Sequence, residues 1–161
     1  MDKKLVKAFN DQIKNELYSA YIYLSMAAYF EAENLSGFGQ WMKTQAKEET
    51  GHAMKLFAHL IDRGARVELQ AIPQPETKFS SAVEVFEKTL AHEKKVTAMI
   101  NALYELTGKE NDYPASILLQ WFITEQVEEE NTADSILQNL KKIKPDSSAM
   151  LMYDQVMGKR E

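Results

Sequence analysis

The sequence predicts an all-α fold, a four-helix bundle with one long crossover between its second and third helices and a short fifth helix at the C-terminal end. Three observations predict it. Glycine and proline are scarce, 6 and 4 of 161 residues, too few for an all-β sandwich that turns every ten residues or so. The prolines (Pro73, Pro75, Pro114 and Pro145) interrupt none of the long amphipathic runs. Within those runs the apolar residues fall on single stripes at 100° per residue.

The first helix is expected from about Lys3 to Glu33 and the second from about Leu35 to Arg63, joined by a very short turn at Asn34–Ser36. So short a turn makes the pair antiparallel. A polar, proline-containing stretch follows, from Gly64 to Phe79. The third helix is expected from about Ser80 to Thr107, with Gly108 as a natural C-cap. The fourth opens near Pro114, a residue suited to a first helical turn, and ends near Lys144. Its connection to the third, Gly108–Tyr113, is again short and makes a second antiparallel hairpin. Each long helix should span about 40 Å at 1.5 Å per residue. The stretch between the hairpins can reach roughly 50 Å when extended, so it can run the length of the bundle and leave helices two and three parallel. One domain is expected over residues 1–161, with the bundle at about 3–144 and the terminal helix at about 146–157.

Composition narrows function. Hydrophobic residues at 45% and charged residues at 27% exclude a disordered chain. A net charge of −5 argues against a generic nucleic-acid partner, and the closing Lys159-Arg160-Glu161 is too slight a basic tail to reverse that. With no cysteine there is no disulfide framework and no thiolate metal site, and a reducing cytoplasm is the expected home. The N-terminus interleaves charges with apolar residues and lacks a signal core. The most apolar stretch, Tyr21 to Phe30, is about ten residues and too short to span a bilayer. No membrane partner is expected.

The informative anomaly is that every long helix carries polar groups on its apolar stripe. Helix one aligns Phe9, Ile13, Glu16, Ala20, Tyr23 and Ala27; helix two aligns Met42, Gln45, Glu49, His52, Ala53 and Leu56. Helix three aligns Phe86, Leu90, Glu93, Thr97 and Ile100; helix four aligns Leu119, Phe122, Gln126, Glu129, Ala133 and Leu137. A buried carboxylate costs several kcal/mol unless paired or neutralised, and no lysine or arginine shares these stripes near the glutamates. A bound cation would supply the missing charge. Spacing sharpens the point. Glu16 and Glu49 are 33 residues apart, as are Glu93 and Gln126, and an offset of 77 carries 16, 49 and 52 onto 93, 126 and 129. Two hairpins thus present polar groups at equivalent places, as a dinuclear site inside a bundle requires: one Glu from each of two helices and an i, i+3 pair from each of the others. An oxygen-rich site with one imidazole suits iron or manganese better than structural zinc.

At these residues the chain resembles the ferritin family, specifically the non-haem bacterial and archaeal ferritins. The likeness runs nearly end to end through NELYSAYIYLSMAAYF, EETGH, AHEK, WFITEQVEEE and the short terminal helix. The resemblance implies an iron-storage ferroxidase: Fe(II) is oxidised with dioxygen or peroxide at an intrasubunit di-iron centre, and ferric mineral is held inside a homo-oligomeric, usually 24-subunit, cage. By position it implies Glu16, Glu49 and His52 as ligands of a first iron, with Glu49 bridging to a second iron held also by Glu93 and Glu129. Gln126 matches the family's non-ligand amide. Tyr23 matches the tyrosine beside the centre and Trp121 the neighbouring tryptophan, both implicated in handling electrons. A third, weaker iron site maps to Glu48, Glu125, Glu128 and Glu129. Haem is not expected: Thr50 stands where bacterioferritins place the haem-ligating Met, and their second E-x-x-H reads Gln126…Glu129 here. The small starvation-induced relatives lack the fifth helix, and rubrerythrins need cysteines.

Other features have plainer readings. His59 and His92 are expected to be packing or surface residues, and Glu130 to belong to a solvated acidic face or to the third site. Gly51 inside helix two suggests close helix approach. The terminal helix, with Met150, Leu151, Met152, Val156 and Met157, is too apolar to stay exposed on a monomer; by resemblance it gathers at a four-fold axis. Glu110 and Asp112 fall near where three-fold pores form in the family. Two other functions compete: a stand-alone di-iron oxidase that stores nothing, and a metal-free helical interaction module, which the matched spacings disfavour.

Overall fold

The computed structural model describes residues 1–160 and contains, among them, five α-helices and no strand. These are α1 (Lys3–Ala32), α2 (Ser36–Asp62), α3 (Ala82–Lys109), α4 (Tyr113–Leu140) and α5 (Ser148–Met157). Helices α1 and α2 pack as one antiparallel hairpin and α3 and α4 as the other. The architecture is the one expected from sequence, a four-helix bundle with a short C-terminal helix.

Side chains start most of these helices. Asp2, Ser81, Asp112 and Ser147 each accept from a backbone N–H in the first turn of the helix that follows. Left-handed residues stop three of them: Asn34 (φ 57°), Gly64 (φ 66°) and Asn111 (φ 54°). In each case the next residue's N–H reaches back to the carbonyl of the last full turn, Leu35 to Phe30, Ala65 to Leu60 and Asp112 to Thr107. Here the expected boundary of α3 is corrected. Gly108 lies inside the helix, and Asn111 makes the left-handed stop because asparagine tolerates that conformation better than other side chains. Helix α4 ends at Leu140 rather than near Lys144, its chain tightening through Lys142 N–H to Asn139 and Ile143 N–H to Leu140.

The crossover from Arg63 to Ser81 follows α1. Asn10 grips its start, donating to the Arg66 carbonyl at 3.1 Å and accepting from the Glu68 N–H at 2.8 Å. Ser25, four turns further along α1, donates to the Glu76 carbonyl. The strap therefore travels from one end of the bundle toward the other, and α3 runs parallel to α2.

The apolar interior is divided in two. One cluster joins Tyr23, Phe30, Phe38, Trp41, Phe86 and Leu137 at one end; the other joins Phe9, Ile13, Leu56, Ile100, Leu119 and Phe122 at the other. On every long helix the expected metal-binding positions fall between the two. Helix α5 covers the first cluster, burying Met150 and Met157 and leaving Leu151, Met152 and Val156 exposed. Its fit is tight. A Cβ on Gly37 would lie 1.7 Å from the Asp154 carbonyl oxygen. Leu35 cannot cap α2 with its side chain, and the Asp154 carboxylate does so from α5, accepting from the Phe38 N–H at 2.9 Å.

Gly37→Ala should therefore lift α5 while leaving the bundle folded, and Asp154→Ala should cost about 1 kcal/mol through the lost cap. Hydrogen exchange checks both: amides of residues 148–157 should lose protection in the first variant, with those of α1 and α3 unchanged.

Candidate metal centre

Midway along the bundle each long helix turns a polar residue inward, because the stripe that carries it is otherwise apolar and must face the partners. Glu16, Glu49, His52, Glu93 and Glu129 are 1, 2, 6, 1 and 7% exposed, so none can be hydrated as it would be at a surface. Their hydrogen bonds come largely from amides. Gln12 donates to Glu16 Oε1 at 2.8 Å, and Gln45 donates to Glu49 Oε1 at 3.2 Å and to Glu129 Oε2 at 2.8 Å. Gln126 donates to Glu93 Oε2 at 3.0 Å, and the Tyr23 hydroxyl donates to Glu93 Oε1. His52 Nδ1 stands 3.3 Å from Glu49 Oε2. One oxygen is left over: Glu16 Oε2 is buried with no hydrogen-bond partner.

Two groups come close enough to share an ion. Glu16, Glu49 and His52 offer ligand atoms all within 4.8 Å of one another, as do His52, Glu125 and Glu129. The other expected ligands lie outside both groups. Glu93 belongs to neither group and is tied to Tyr23 and Gln126 instead. Glu48 is ion-paired to Arg160, and Glu128 is exposed. Glu130 accepts from the Thr97 hydroxyl at 2.6 Å. The Trp121 indole meets the His52 ring edge-on at 5.4 Å, with the Lys55 ammonium over its face.

The electrostatics follow from burial without counter-charge. Glu16 and Glu49 hold their protons well above the usual carboxylate range, chiefly through desolvation and secondarily through neighbouring glutamates. Glu93 is raised by desolvation, and Glu129 is pushed up to about 7 by burial and by Glu93. The Tyr23 phenol is raised well above its ordinary value by burial and by Glu93, so it donates to the carboxylate as a neutral group. A cluster of this kind is poised to exchange protons for a cation. The donors are hard oxygens plus one imidazole, and one buried Glu16 oxygen has no hydrogen-bond partner, so the residues present fit a divalent first-row metal such as iron.

The remaining histidines pack as expected. His59 stacks on Phe9 at 5.3 Å, and His92 Nε2 meets the Ser19 hydroxyl at 2.8 Å. Burial pulls the His92 imidazole down to about 4. Gly51 does not mark a close helix approach, for a Cβ there would meet nothing within 4 Å. Asp112 is committed to the fold: it caps α4 and accepts from both Arg63 Nη atoms, at 2.7 and 3.1 Å. Sequence reasoning missed Gln12 and Arg160, and placed Gln45 on the core stripe of α2 without giving it a role. Gln12 and Gln45 each stand four residues before a core glutamate, a signal present in the sequence. Arg160 reaches the rim from 115 residues away and left no local signal.

Fold and site together define a helical-bundle protein with a buried, carboxylate-rich cluster able to hold a metal ion. The Ferritin-like domain model matches residues 6–143. The chain is 38% identical to a bacterial non-heme ferritin of Staphylococcus aureus, over 99% of this chain and 96% of that one, and 37% identical to one of Staphylococcus haemolyticus with the same coverage. It is 42% identical to the open pore ferritin of the hyperthermophilic archaeon Archaeoglobus fulgidus, whose solved structure superposes with a TM-score of 0.98 over 100% of this chain and 98% of that one. A humanized archaeal ferritin gives the same identity and TM-score. The chain belongs to the ferritin family, among its non-haem bacterial and archaeal members.

In the metal-free protein, carboxyls with raised pKa stay protonated in the fold at pH values where the unfolded chain has released those protons. Stability should therefore fall as pH rises from the ordinary carboxylate range through about 7, where Glu129 ionises. The Tm of metal-free protein should drop between pH 5 and 7.5, and Glu129→Gln should flatten that slope. An unchanged slope in the variant would contradict the assignment.

Proposed function

We propose that this protein is an iron-storage ferroxidase, with Fe(II) as substrate and dioxygen as oxidant. The observation that carries the reading is four buried glutamates, one with an unpartnered oxygen, packed near a single histidine, with none of the four hydrogen-bonded or ion-paired to a lysine or arginine among the described residues. Glu16, Glu49 and His52 hold a first ferrous ion. Glu49 bridges to a second, which Glu93 and Glu129 complete. Carboxylate oxygens favour Fe(III) over Fe(II), so they drive oxidation. Two ferrous ions each give one electron to the same dioxygen, which with two protons leaves as hydrogen peroxide, and no free superoxide is made. Tyr23 and Gln126 fix the Glu93 carboxylate by its two oxygens, so the second ion meets an oriented ligand.

A third, weaker ion is assigned to the acidic rim of Glu48, Glu125, Glu128 and Glu129, a transit position between the centre and the store. Support for it is uneven: Glu125 and Glu129 lie with His52 in one ligand group, whereas Glu128 faces solvent. The exposed apolar residues of α5, Leu151, Met152 and Val156, support assembly into a cage of like subunits that holds the ferric product. No helix among the described residues is long and apolar enough to cross a membrane. We place the protein in the cytoplasm on its cysteine-free composition.

The deciding measurement is iron retained per chain after aerobic Fe(II) addition to metal-free protein, taken on the size-exclusion peak. Tens of ions per chain in a very large particle support storage. About two per chain would leave a dinuclear oxidase without a store, and none would overturn the reading. Glu49→Ala should slow Fe(II) oxidation at least tenfold, followed at the ferric absorbance. Because it removes one of several crowded carboxyls, the metal-free variant should melt no lower than the parent.

A further inference from the structure

The C-terminal tail brings a guanidinium to the rim of the metal centre. Arg160 Nη1 donates to Gln45 Oε1 at 2.8 Å, Nη2 donates to Glu48 Oε2, and the guanidinium carbon lies 4.3 Å from the centre of the Trp41 ring. Those partners occupy positions 41, 45 and 48 of α2, successive turns of one helix face. The placement is built into the fold. Asp154 and Gly37 lock α5 onto the first turn of α2, and at Gly158 a Cβ would stand 3.1 Å from the Gly37 Cα. The chain leaves α5 pressed against α2, two residues before Arg160.

Gln45 links this contact to the centre. It is 1% exposed and accepts from Arg160 through its oxygen while its nitrogen donates to Glu49 and Glu129. One amide therefore joins the tail cation to two of the buried carboxyls. Among the described residues, no other lysine or arginine hydrogen-bonds to these rim and centre side chains. The guanidinium is held on three sides, by an amide, a carboxylate and an aromatic face, and such an arrangement is more than a loose surface pair.

We propose that Arg160 is a built-in cation that holds Glu48 until a third ferrous ion displaces it, so that the tail sets how tightly that ion binds. This rests on the ferroxidase reading. A carboxylate that accepts a guanidinium shares its lone pairs with any incoming ion, and the two cations repel at the distance of one side chain. Displacement also frees Gln45 Oε1, so the exchange is transmitted to the amide that orients Glu49 and Glu129. Arg160 is a positioning residue acting through Glu48 and Gln45.

The test is calorimetric titration of the assembled, metal-free protein with Zn(II), which mimics Fe(II) without being oxidised, on the parent, Arg160→Gln and Arg160→Lys. Two tight ions per chain are expected in all three. The third should bind at least tenfold more tightly in Arg160→Gln, and Arg160→Lys should stay near the parent because its charge is kept. In a Trp121→Phe background, Trp41 emission should change as the third equivalent enters the parent and stay flat in Arg160→Gln, a readout that simple loosening of the tail would not give. An unchanged or weaker third affinity in Arg160→Gln, no third ion in any variant, or flat Trp41 emission in the parent would each overturn the proposal while leaving the two tight ions to support the ferroxidase reading. A parent that fails to bind the first two ions overturns that reading, and this inference with it.

Discussion

Everything about this bundle is arranged around the burial of four glutamates without a matching positive charge at their midst. In an ordinary core such groups would each cost several kcal/mol. Here three amides and a phenol satisfy most of their oxygens, and elevated pKa values keep several of them neutral in the metal-free protein. The consequence is a protein folded partly against its own preference in the absence of a cation. It is a bundle with two apolar clusters that hold the helices and a buried carboxylate band between them.

That division explains how the fold tolerates the strain. The cluster around Phe30, Phe38 and Phe86 is aromatic, with Phe30 stacked on Phe38 and Phe86 meeting both at an angle, ring centroids 5.0 to 6.3 Å apart, and it is sealed by α5. The opposite cluster is sealed by the Schellman turn at Gly64 and the Arg63–Asp112 pair, which ties α2 to the start of α4. Each end is stable enough to hold the register of the four helices, and the register is what brings Glu16, Glu49 and His52 within 4.8 Å. The site is made by position along rigid helices, which fix geometry better than loops do.

Much of this was legible one residue at a time. The periodic stripes located the helices, and a short turn or a long strap decided which neighbours are antiparallel. The equal 33-residue spacings marked matching depths in the two hairpins. Stop signals were harder. Gly108 looked like the natural end of α3, yet the helix continues to Lys109 because Asn111 can take the left-handed turn and the capping carboxylate of Asp112 is waiting beyond it. Asp112, which the resemblance sets near a pore, also caps α4 and is buried in a bidentate pair with Arg63, a contact the sequence did not signal. Gly51 suggested a close approach of helices and has open space around it, whereas Gly37, which drew no notice, is where two backbones meet.

The sequence by itself determined the number of helices, their pairing and the depth at which polar groups enter the core, because helical periodicity and loop length act locally. It also determined that those groups lacked nearby cationic partners on their own helices. Only the tertiary structure decided which oxygens are satisfied and by whom: Tyr23 on Glu93, Gln45 across to Glu129, and Arg160 on Glu48. Those contacts join residues 70 to 112 positions apart. No pattern along one helix encodes them, since each depends on where a second helix, or the chain end that α5 pins in place, arrives in space.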